Sequence, residues 1–525
     1  MNTNGNAQAE KQVPYALAID FGTQSVRAII FDASGNTKGK LKLPFEQPYF
    51  SLKPNWAEQY AEFYWEKLCE ATNGLKAAVP DAFAKIGAVA VTTVRDTLTC
   101  VDEKGEALRP FILWLDERKH GSVSDFPLSK RLIFAAVGML ETVTELRQLS
   151  KCNWICANEP EIWAKTYKYV QLSGYINGKL SGKIVDSVAS QIGHIPFDYK
   201  KKTWQSKSAL TACLYDLEPR MNIDLVPSGS LIGGITAKAA AETGIPEGTP
   251  LIAAGSDKGC ETLGSGTIGD GVASISFGTT STVQISTLKY VEPRPFIPAY
   301  PAVIDNMYNP ELEIYRGFWM ISWYKNNFAS NEEKRAIDLG LSVEQLLDDM
   351  LDETPAGNHG LVLQPFWSPG ITTPGAKGAI IGFSDIHTKA HLYRAIIEGI
   401  GFGLLDGMKV LEKASGYKVK RVMASGGGSA SAKVCQTMAD IFGVPVQKTQ
   451  TYENSALGAA LAAYKGLGVF KTYEDAVAAM VRVTEEYTPD LENHKLYSAI
   501  FNDVYSKMYP SLKGLFKNIR RINKQ

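Results

Sequence analysis

The five-residue pattern F-G-T-x-S occurs twice in this chain, at residues 21–25 and again at residues 277–281. An apolar, β-rich segment stands on each side of both copies: YALAID and SVRAIIFD around the first, GVASIS and STVQIS around the second. Such segments around a short Gly/Thr turn predict two β-hairpins with the same turn. The copies are 256 residues apart, about half the chain, which predicts two similar domains rather than a solenoid with repeats of roughly 20–50 residues.

The length of 525 residues also favours at least two domains, because a single core stops growing at roughly 250–300 residues. Between the copies, strand-like segments such as KIGAVAVTTV and TPLIAAG alternate with helical ones such as AEFYWEKLCEATNGLKAAV. Alternating strands and helices predict an α/β fold. A longer helical stretch follows the second copy, and its Gly399, Gly403 and Gly407 share one face, which predicts close packing of that face against another backbone.

Charge and cysteine usage exclude several classes of function. The 55 Lys and Arg residues balance 55 Asp and Glu residues, so no net charge attracts nucleic acid or an anionic membrane. The seven cysteines are odd in number and lack the spacing of a zinc site, which fits a reducing compartment. No stretch approaches the roughly 18 apolar residues of a membrane span. We expect a cytoplasmic protein without nucleic-acid or membrane partners, and a homodimer is a candidate assembly.

The two hairpin turns are candidate phosphate sites. A turn of Gly, Thr and small polar residues between strands offers backbone N–H groups and hydroxyls in a concave arc, which suits phosphate oxygens. Only the first copy has a carboxylate before the turn, Asp20, where the second has Ser276. Mg²⁺ usually takes one or two carboxylates together with substrate phosphates and waters, so Asp20 is the candidate metal ligand. The alternative is a pair of ordinary β-turns.

Two further places suit nucleotide chemistry. Asp257 follows the apolar strand TPLIAAG, where α/β sites lie, and an aspartate there can accept the proton of an alcohol during phosphoryl transfer from ATP. The alternative for Asp257 is a capping or salt-bridged residue. Further on, the strand RVMAS, the turn GGG and a helix ending at Gly443 form a layout that lets a phosphate or ribose approach the positive helix end. A tight turn without a ligand is the alternative there.

Together these motifs resemble the FGGY carbohydrate kinases, ATP-dependent sugar and polyol kinases of the actin-like ATPase fold. The most specific pieces are DFGTQSVRAIIFD, ILWLDER, GSDKGCETLG, SFGTTSTV, SGGGSASAKVCQTMADIFGVPV and ENSALGAALAA, and the resemblance spans residues 15–487. It implies two actin-like (ribonuclease H-like) α/β domains, at 14–256 on the sugar and Mg/phosphate side and 257–485 on the nucleotide side, with an active-site cleft between them. A helical C-terminal tail would cover 486–525.

The resemblance also assigns roles to residues. Asp257 falls on the catalytic base. The residues that would contact the nucleotide and Mg²⁺ are Asp20 for the metal, Gly22, Thr23, Gln24, Ser25, Arg27, Gly278 and Thr279 for the phosphates, and Gly427, Gly428 and Ser431 for the adenosine.

The residues that would bind the acceptor match the family pattern less closely. Arg95 and Asp96 stand where glycerol kinases have an Arg-Glu pair that grips the polyol, and Trp114 falls on a tryptophan that lines the polyol pocket. Lys258 stands where glycerol kinases have Gln and xylulokinases Asn. It would either recognise an acidic or phosphorylated acceptor or pair with a neighbouring carboxylate.

The expected function is ATP-dependent phosphorylation of a hydroxyl of a small sugar or polyol, whether ketose, sugar alcohol or sugar acid. The alternative is a non-catalytic actin-like nucleotide switch or sugar sensor. Asp257 and the Arg95-Asp96 pair favour catalysis, because a switch needs neither.

Overall fold

The structure, a computed structural model, describes residues 13–295, 297–368, 370, 373 and 375–523. These residues form two compact units. The first unit comprises residues 13–196, Trp204–Cys260 and Ser455–Met480, and the second comprises Phe197–Thr203, Glu261–Asn454 and residues 481–523. The prediction of two α/β domains is confirmed. The consecutive limits 14–256, 257–485 and 486–525 stay predictions.

Strands and helices alternate along much of the described chain. The strands are β1 (Tyr15–Phe21), β2 (Ser25–Phe31), β3 (Thr37–Pro44), β4 (Glu58–Gln59), β5 (Ile86–Thr93), β6 (Leu98–Val101), β7 (Phe111–Ile112), β8 (Lys168–Gln171), β9 (Val185–Ser187), β10 (Phe197–Asp198), β11 (Thr203–Trp204), β12 (Asp224–Val226), β13 (Leu231–Gly234), β14 (Pro250–Ser256), β15 (Val272–Phe277), β16 (Ser281–Ile285), β17 (Tyr300–Pro301), β18 (Tyr308–Asn309), β19 (Glu311–Ile314), β20 (Val362–Gln364), β21 (Ala379–Ile381), β22 (Arg421–Ser425), β23 (Val446–Thr449) and β24 (Val483–Tyr487). The α-helices are α1 (Ala61–Ala78), α2 (Pro80–Phe83), α3 (Leu128–Ala136), α4 (Leu140–Leu149), α5 (Lys151–Asn158), α6 (Pro160–Lys165), α7 (Leu172–Ser181), α8 (Ala237–Thr243), α9 (Asp257–Gly264), α10 (Trp319–Phe328), α11 (Ser330–Leu339), α12 (Val343–Asp349), α13 (Lys389–Ser415), α14 (Ala432–Phe442), α15 (Asn454–Gly466), α16 (Tyr473–Met480), α17 (Leu491–Ile500) and α18 (Ser506–Ile522).

The first unit is built on a six-stranded sheet with the order β13-β14-β5-β1-β2-β3. Strands β1, β5 and β14 are parallel neighbours, whereas β2, β3 and β13 run antiparallel to theirs. Nearly every residue of β1, β5 and β14 is buried, as expected for strands covered on both faces. Helix α1 packs on β2 and β3, and helix α7 packs on β5. The apolar face of α1 and the sheet share one core.

The second unit repeats this arrangement with the order β19-β16-β15-β22-β23-β24. Here β15, β22 and β23 are the parallel neighbours, and β16, β19 and β24 are antiparallel. The two sheets differ in one connection, because the antiparallel edge strand β13 precedes its partner in sequence whereas β24 follows its partner. Both predicted hairpins are present: β1 and β2 flank residues 22–24, and β15 and β16 flank residues 278–280.

Helix α13 is the long helix that the sequence predicts after the second hairpin. It ends at Ser415 and is followed by Gly416, whose φ of +77° is the left-handed conformation common at helix C-termini. A Cβ on Gly399 would lie 2.5 Å from the carbonyl oxygen of Leu363 in β20, which confirms close backbone packing there. At Gly403 and Gly407 the close neighbours include the side chains of Ile314 and Val283 instead.

All seven cysteines are free thiols in this structure, and the reducing compartment stays a prediction. Across the described residues, every helix is too short or too polar to cross a bilayer.

Candidate active site

Three charged residues lie at the carboxyl ends of the three parallel strands of the first unit. Asp20 is the penultimate residue of β1, Arg95 follows β5 by two residues, and Asp257 comes directly after β14. Because β1, β5 and β14 are adjacent, their carboxyl ends meet at one edge of the sheet, which is where α/β proteins bind ligands. The Nε atom of Arg95 lies 3.9 Å from Oδ1 of Asp257, so the structure brings these two predicted site residues together.

Asp20 and the first turn form one end of this edge. The Asp20 carboxylate is 3% exposed, and its Oδ2 accepts a hydrogen bond of 2.8 Å from Nη1 of Arg27, the residue opposite it in β2. In the turn, the Gly22 N–H donates to the Ser25 carbonyl, whereas Gln24 is exposed. The charged pair is therefore held beneath a turn that presents its tip to solvent.

The side chain of Trp114 also reaches this turn. Its indole Nε1 donates a hydrogen bond of 3.0 Å to the hydroxyl of Thr23. The segment after Trp114 is anchored by a buried network that the sequence did not reveal: Arg118 donates to Asp116 and to Glu58. These anchors fix the position of Trp114 relative to the turn, so a residue predicted for the acceptor and a residue predicted for the phosphates are in direct contact.

Asp257 is the first residue of α9, and its Oδ1 accepts a hydrogen bond of 2.8 Å from the backbone N–H of Lys258. The Asp257 side chain keeps 22% of its surface exposed, so solvent or a ligand can reach it. One turn later, burial and, to a smaller degree, the charges of Asp20 and Asp257 raise the pKa of the Cys260 thiol to about 12. Both carboxylates therefore lie close enough to Cys260 to raise the pKa of its buried thiol.

Asp96 is held by partners that the sequence did not indicate. Its Oδ2 accepts hydrogen bonds from Nζ of Lys151 at 2.6 Å and from Nδ1 of His194 at 3.0 Å, while its Oδ1 accepts from the backbone N–H of His194. Burial raises the pKa of Asp96, but the Lys151 ammonium and His194 outweigh it and hold that pKa well below its ordinary value. These partners stand 55 and 98 positions away, so no local pattern could have found them.

In the second unit, two glycine-rich turns follow adjacent parallel strands. Gly278 and Thr279 follow β15, and Gly427 and Gly428 come shortly after β22. Gly427 has no atom within 4 Å of the place a Cβ would take, whereas a Cβ on Gly428 would lie 2.3 Å from the Phe318 ring. There is therefore open space beside Gly427 in the second turn, whereas the Phe318 ring fills the space beside Gly428.

Ser431 caps the helix that follows the second turn. Its hydroxyl oxygen accepts a hydrogen bond of 3.1 Å from the backbone N–H of Val434, and α14 begins at the next residue. The helix ends at Phe442, and Gly443, with φ +70°, stops it as predicted. The order of strand, glycine turn and helix is therefore confirmed, and the Ser431 side chain has a structural role at the positive helix end.

The donor set of the first unit fits Mg²⁺ held partly by substrate. No group of three or more His, Cys, Asp and Glu side chains among the described residues could hold a metal alone. Mg²⁺ is usually held by one or two carboxylates plus phosphates and waters, so a dedicated protein cage is not needed. Asp20, a buried carboxylate at the carboxyl end of β1, offers a ligand of the required kind.

Two units that repeat the same six-stranded sheet are consistent with the actin-like ATPase fold. Residues 15–264 match the N-terminal domain, and residues 273–467 the C-terminal domain, of the FGGY family of carbohydrate kinases. The chain belongs to this family, and as a carbohydrate kinase it uses ATP.

Individual relatives match almost the whole chain. It is 28% identical to a xylulose kinase of Staphylococcus epidermidis, over 96% of this chain and 98% of that protein. It is 26% identical to a gluconokinase of Bacillus subtilis, over 93% and 94%. The crystal structure of a xylulose kinase from Rhodospirillum rubrum superimposes with a TM-score of 0.81 at 25% identity, covering 96% of this chain and all of that one. The similarity thus includes proteins named as xylulose kinases and as a gluconokinase.

Proposed function

We propose that this kinase transfers the γ-phosphoryl group of ATP to a hydroxyl of a small sugar, polyol or sugar acid, with Asp257 as the general base. The observation that carries this proposal is the position of Asp257: a partly exposed carboxylate at the carboxyl end of a buried parallel strand, 3.9 Å from the guanidinium of Arg95. A carboxylate that solvent can reach at the carboxyl end of a parallel strand stands where α/β proteins bind their ligands.

In the proposed reaction, a carboxylate oxygen of Asp257 accepts the proton of the acceptor hydroxyl as the acceptor oxygen forms its bond to the γ-phosphorus. The bond from that phosphorus to the β–γ bridging oxygen breaks, and ADP leaves with the electron pair. Asp20 would hold Mg²⁺, which neutralises charge on the phosphates. The proposed nucleotide contacts are Gly22, Thr23, Gln24, Ser25, Arg27, Gly278 and Thr279 for phosphates, and Gly427, Gly428 and Ser431 for adenosine. That both turns bind one triphosphate stays a prediction.

The proposed acceptor contacts are Arg95, Asp96, Trp114 and Lys258. A guanidinium offers five N–H donors in a fixed fork, which suits neighbouring hydroxyls of a polyol or an open-chain ketose. The 3.9 Å separation from Asp257 keeps that fork beside the proposed base. We therefore propose a small, hydroxyl-rich acceptor.

A nucleotide switch or sugar sensor is the second candidate function. It would bind and hydrolyse ATP without passing the phosphoryl group to an alcohol. Measuring ADP release separates the two: a kinase is stimulated by its acceptor, whereas a switch keeps the same background rate with every sugar.

We expect Asp257→Ala to abolish transfer while leaving ATP binding nearly unchanged, because the base acts on the acceptor. ADP release is measured with glycerol, D-xylulose and D-gluconate. Loss of a general base lowers kcat by about 10²–10⁴-fold. The control Asp81→Ala removes an exposed carboxylate from α2 and should leave kcat unchanged. More than about a tenth of the wild-type kcat in Asp257→Ala would remove Asp257 from this role.

A further inference from the structure

The backbone of residues 192–194 forms hydrogen bonds with Asp96. The backbone N–H of Asp96 donates to the Ile192 carbonyl at 3.1 Å, and the backbone N–H of His194 donates back to Oδ1 of Asp96 at 3.2 Å. Between them, Gly193 has φ +145°, and a Cβ there would lie 2.4 Å from the same carboxylate oxygen. Only glycine allows this approach, so the loop is shaped to bring His194 to Asp96.

Further bonds fix the backbone on each side of the His194 ring. The His194 carbonyl accepts a hydrogen bond of 3.0 Å from the Ser150 hydroxyl, and the Ile192 carbonyl accepts one of 2.9 Å from Nε2 of Gln171. Asp96 itself has φ +49°, a left-handed conformation that is uncommon for residues other than glycine. Strained backbone of this kind persists where surrounding contacts over-determine it, and it clusters at binding and catalytic sites.

The hydrogen bond at Nδ1 defines which atom of the His194 ring remains for a ligand. Asp96 is ionised, since Lys151 and His194 keep its pKa low despite burial, and an ionised carboxylate can only accept. Nδ1 therefore carries the hydrogen in the 3.0 Å contact, and in the neutral tautomer that this contact selects, Nε2 carries no hydrogen and is an acceptor. No described residue hydrogen-bonds to Nε2, and the side chain is 24% exposed.

The same contacts limit what Asp96 can offer a ligand. Oδ2 already accepts from an ammonium and an imidazole, and Oδ1 accepts from a backbone N–H. The preceding residue, Arg95, lies beside the proposed base, so the cluster borders the acceptor site. A hydroxyl that enters there meets a carboxylate engaged with the protein and, next to it, an imidazole nitrogen that is not.

We propose that His194 is a specificity-determining residue whose Nε2 accepts a hydrogen bond from one hydroxyl of the acceptor, while Asp96 and Lys151 position the ring. This inference rests on the proposed function. It assigns direct recognition to a residue that lies in no sequence motif, and it adds to Asp96, a proposed acceptor contact, the role of positioning the His194 ring.

The test compares wild type with His194→Asn. Asparagine keeps an N–H donor for Asp96 but is too short to present an acceptor at the position of Nε2. The probes are the best acceptor among glycerol, D-xylulose and D-gluconate, and its monodeoxy analogues. The control is His120→Asn, which changes another half-buried histidine of the first unit.

In wild type, removing the recognised hydroxyl leaves Nε2 unpaired and should lower kcat/KM by about 5- to 150-fold. In His194→Asn, removal of the same hydroxyl should lower kcat/KM by no more than about twofold. The losses caused by removing the other hydroxyls, and the KM for ATP, should change by no more than about twofold from wild type. His120→Asn should retain the wild-type pattern. If the His194 ring only holds Asp96 in place, His194→Asn should lower activity with every analogue equally. Unchanged relative losses among the analogues would therefore overturn the inference.

The two hypotheses fail in different ways. An active wild type with the same deoxy penalties in His194→Asn overturns the role of His194 and leaves the proposed function standing. A wild type that phosphorylates none of the three acceptors contradicts the proposed function. In that case calorimetric titration of each acceptor tests His194 by itself: equal affinities for wild type and His194→Asn would overturn the inference, and weaker binding to the variant would support it.

Discussion

At the scale of single residues, the charged side chains of the proposed acceptor site are paired with one another or with neighbouring residues. Asp96 is engaged by Lys151 and His194, and Arg95 lies 3.9 Å from Asp257. Lys258 follows the proposed base directly, and its backbone N–H donates to it. An ammonium at this position would favour an acceptor with a carboxylate, whereas pairing with a carboxylate of the protein would make it indifferent to acceptor charge.

We therefore expect Lys258→Gln to separate the two roles that the sequence left open. If the ammonium binds the acceptor, kcat/KM for D-gluconate should fall by about tenfold or more, while that for a neutral ketose stays nearly constant, because a hydrogen bond to a charged group contributes about 1.5–3 kcal/mol. Steady-state kinetics with both acceptors measures this. Lys238→Gln, at an exposed position of α8, is the control. An equal effect on both acceptors would assign Lys258 a structural role.

At the scale of elements, glycines decide how closely backbones approach in the second unit. Helix α13 has Gly399 where a side chain would meet the Leu363 carbonyl oxygen at 2.5 Å. In α18, Gly514 has no atom within 4 Å of the Cβ position. The intrinsic helix preference is the same for both glycines, so their difference in environment alone should determine the effect of substitution.

We expect Gly399→Ala to destabilise the protein and Gly514→Ala to stabilise it slightly. Alanine gains up to about 1 kcal/mol of helix propensity at either position. At Gly399, forcing a methyl group against backbone should cost about 1–3 kcal/mol and outweigh that gain. Urea unfolding followed by circular dichroism gives both differences. Equal stabilisation in the two variants would contradict the packing argument.

At the scale of the whole molecule, three separate segments of the chain form the first unit. Residues Ser455–Met480 belong to it although they follow most of the second unit in sequence. In α15, a Cβ on Gly458 would lie 1.9 Å from the Cys260 carbonyl oxygen, and the Tyr464 hydroxyl donates to the Phe31 carbonyl at 2.9 Å. The late segment therefore packs directly on the sheet and on α9, the helix that begins with Asp257.

We expect residues 13–260 alone not to fold cooperatively, because they lack the segment that covers α9 and the sheet. Joining residues 455–480 to this fragment through a flexible linker should restore a cooperative thermal transition. Calorimetry of both fragments checks this. A cooperative transition of the shorter fragment at the same temperature as the fused one would show that the segment is dispensable.

The candidate homodimer also stays a prediction, which sedimentation of the full chain tests.

Local sequence patterns predict much of the fold. The repeated F-G-T-x-S turn, the β14 strand and the glycine turn before α14 were all predictable, because turn residues, apolar runs and caps act over a few neighbouring positions. The family and the carboxylates of the sheet edge followed from the same short motifs. Long-range partners were not predictable: Lys151 and His194 are far from Asp96 in sequence, and neither sits in a motif that indicates a carboxylate partner.

The sequence by itself determined the two α/β units, their hairpins, the family and the positions of Asp20 and Asp257 at strand ends, because each depends on local conformational preference and on hydrophobic periodicity. Only the tertiary structure decided which charges pair, that Trp114 contacts Thr23, and that Ser455–Met480 belongs to the first unit. The reason is physical: a side chain's electrostatic partner is set by distance in space, and packing can bring together residues whose separation along the chain carries no signal.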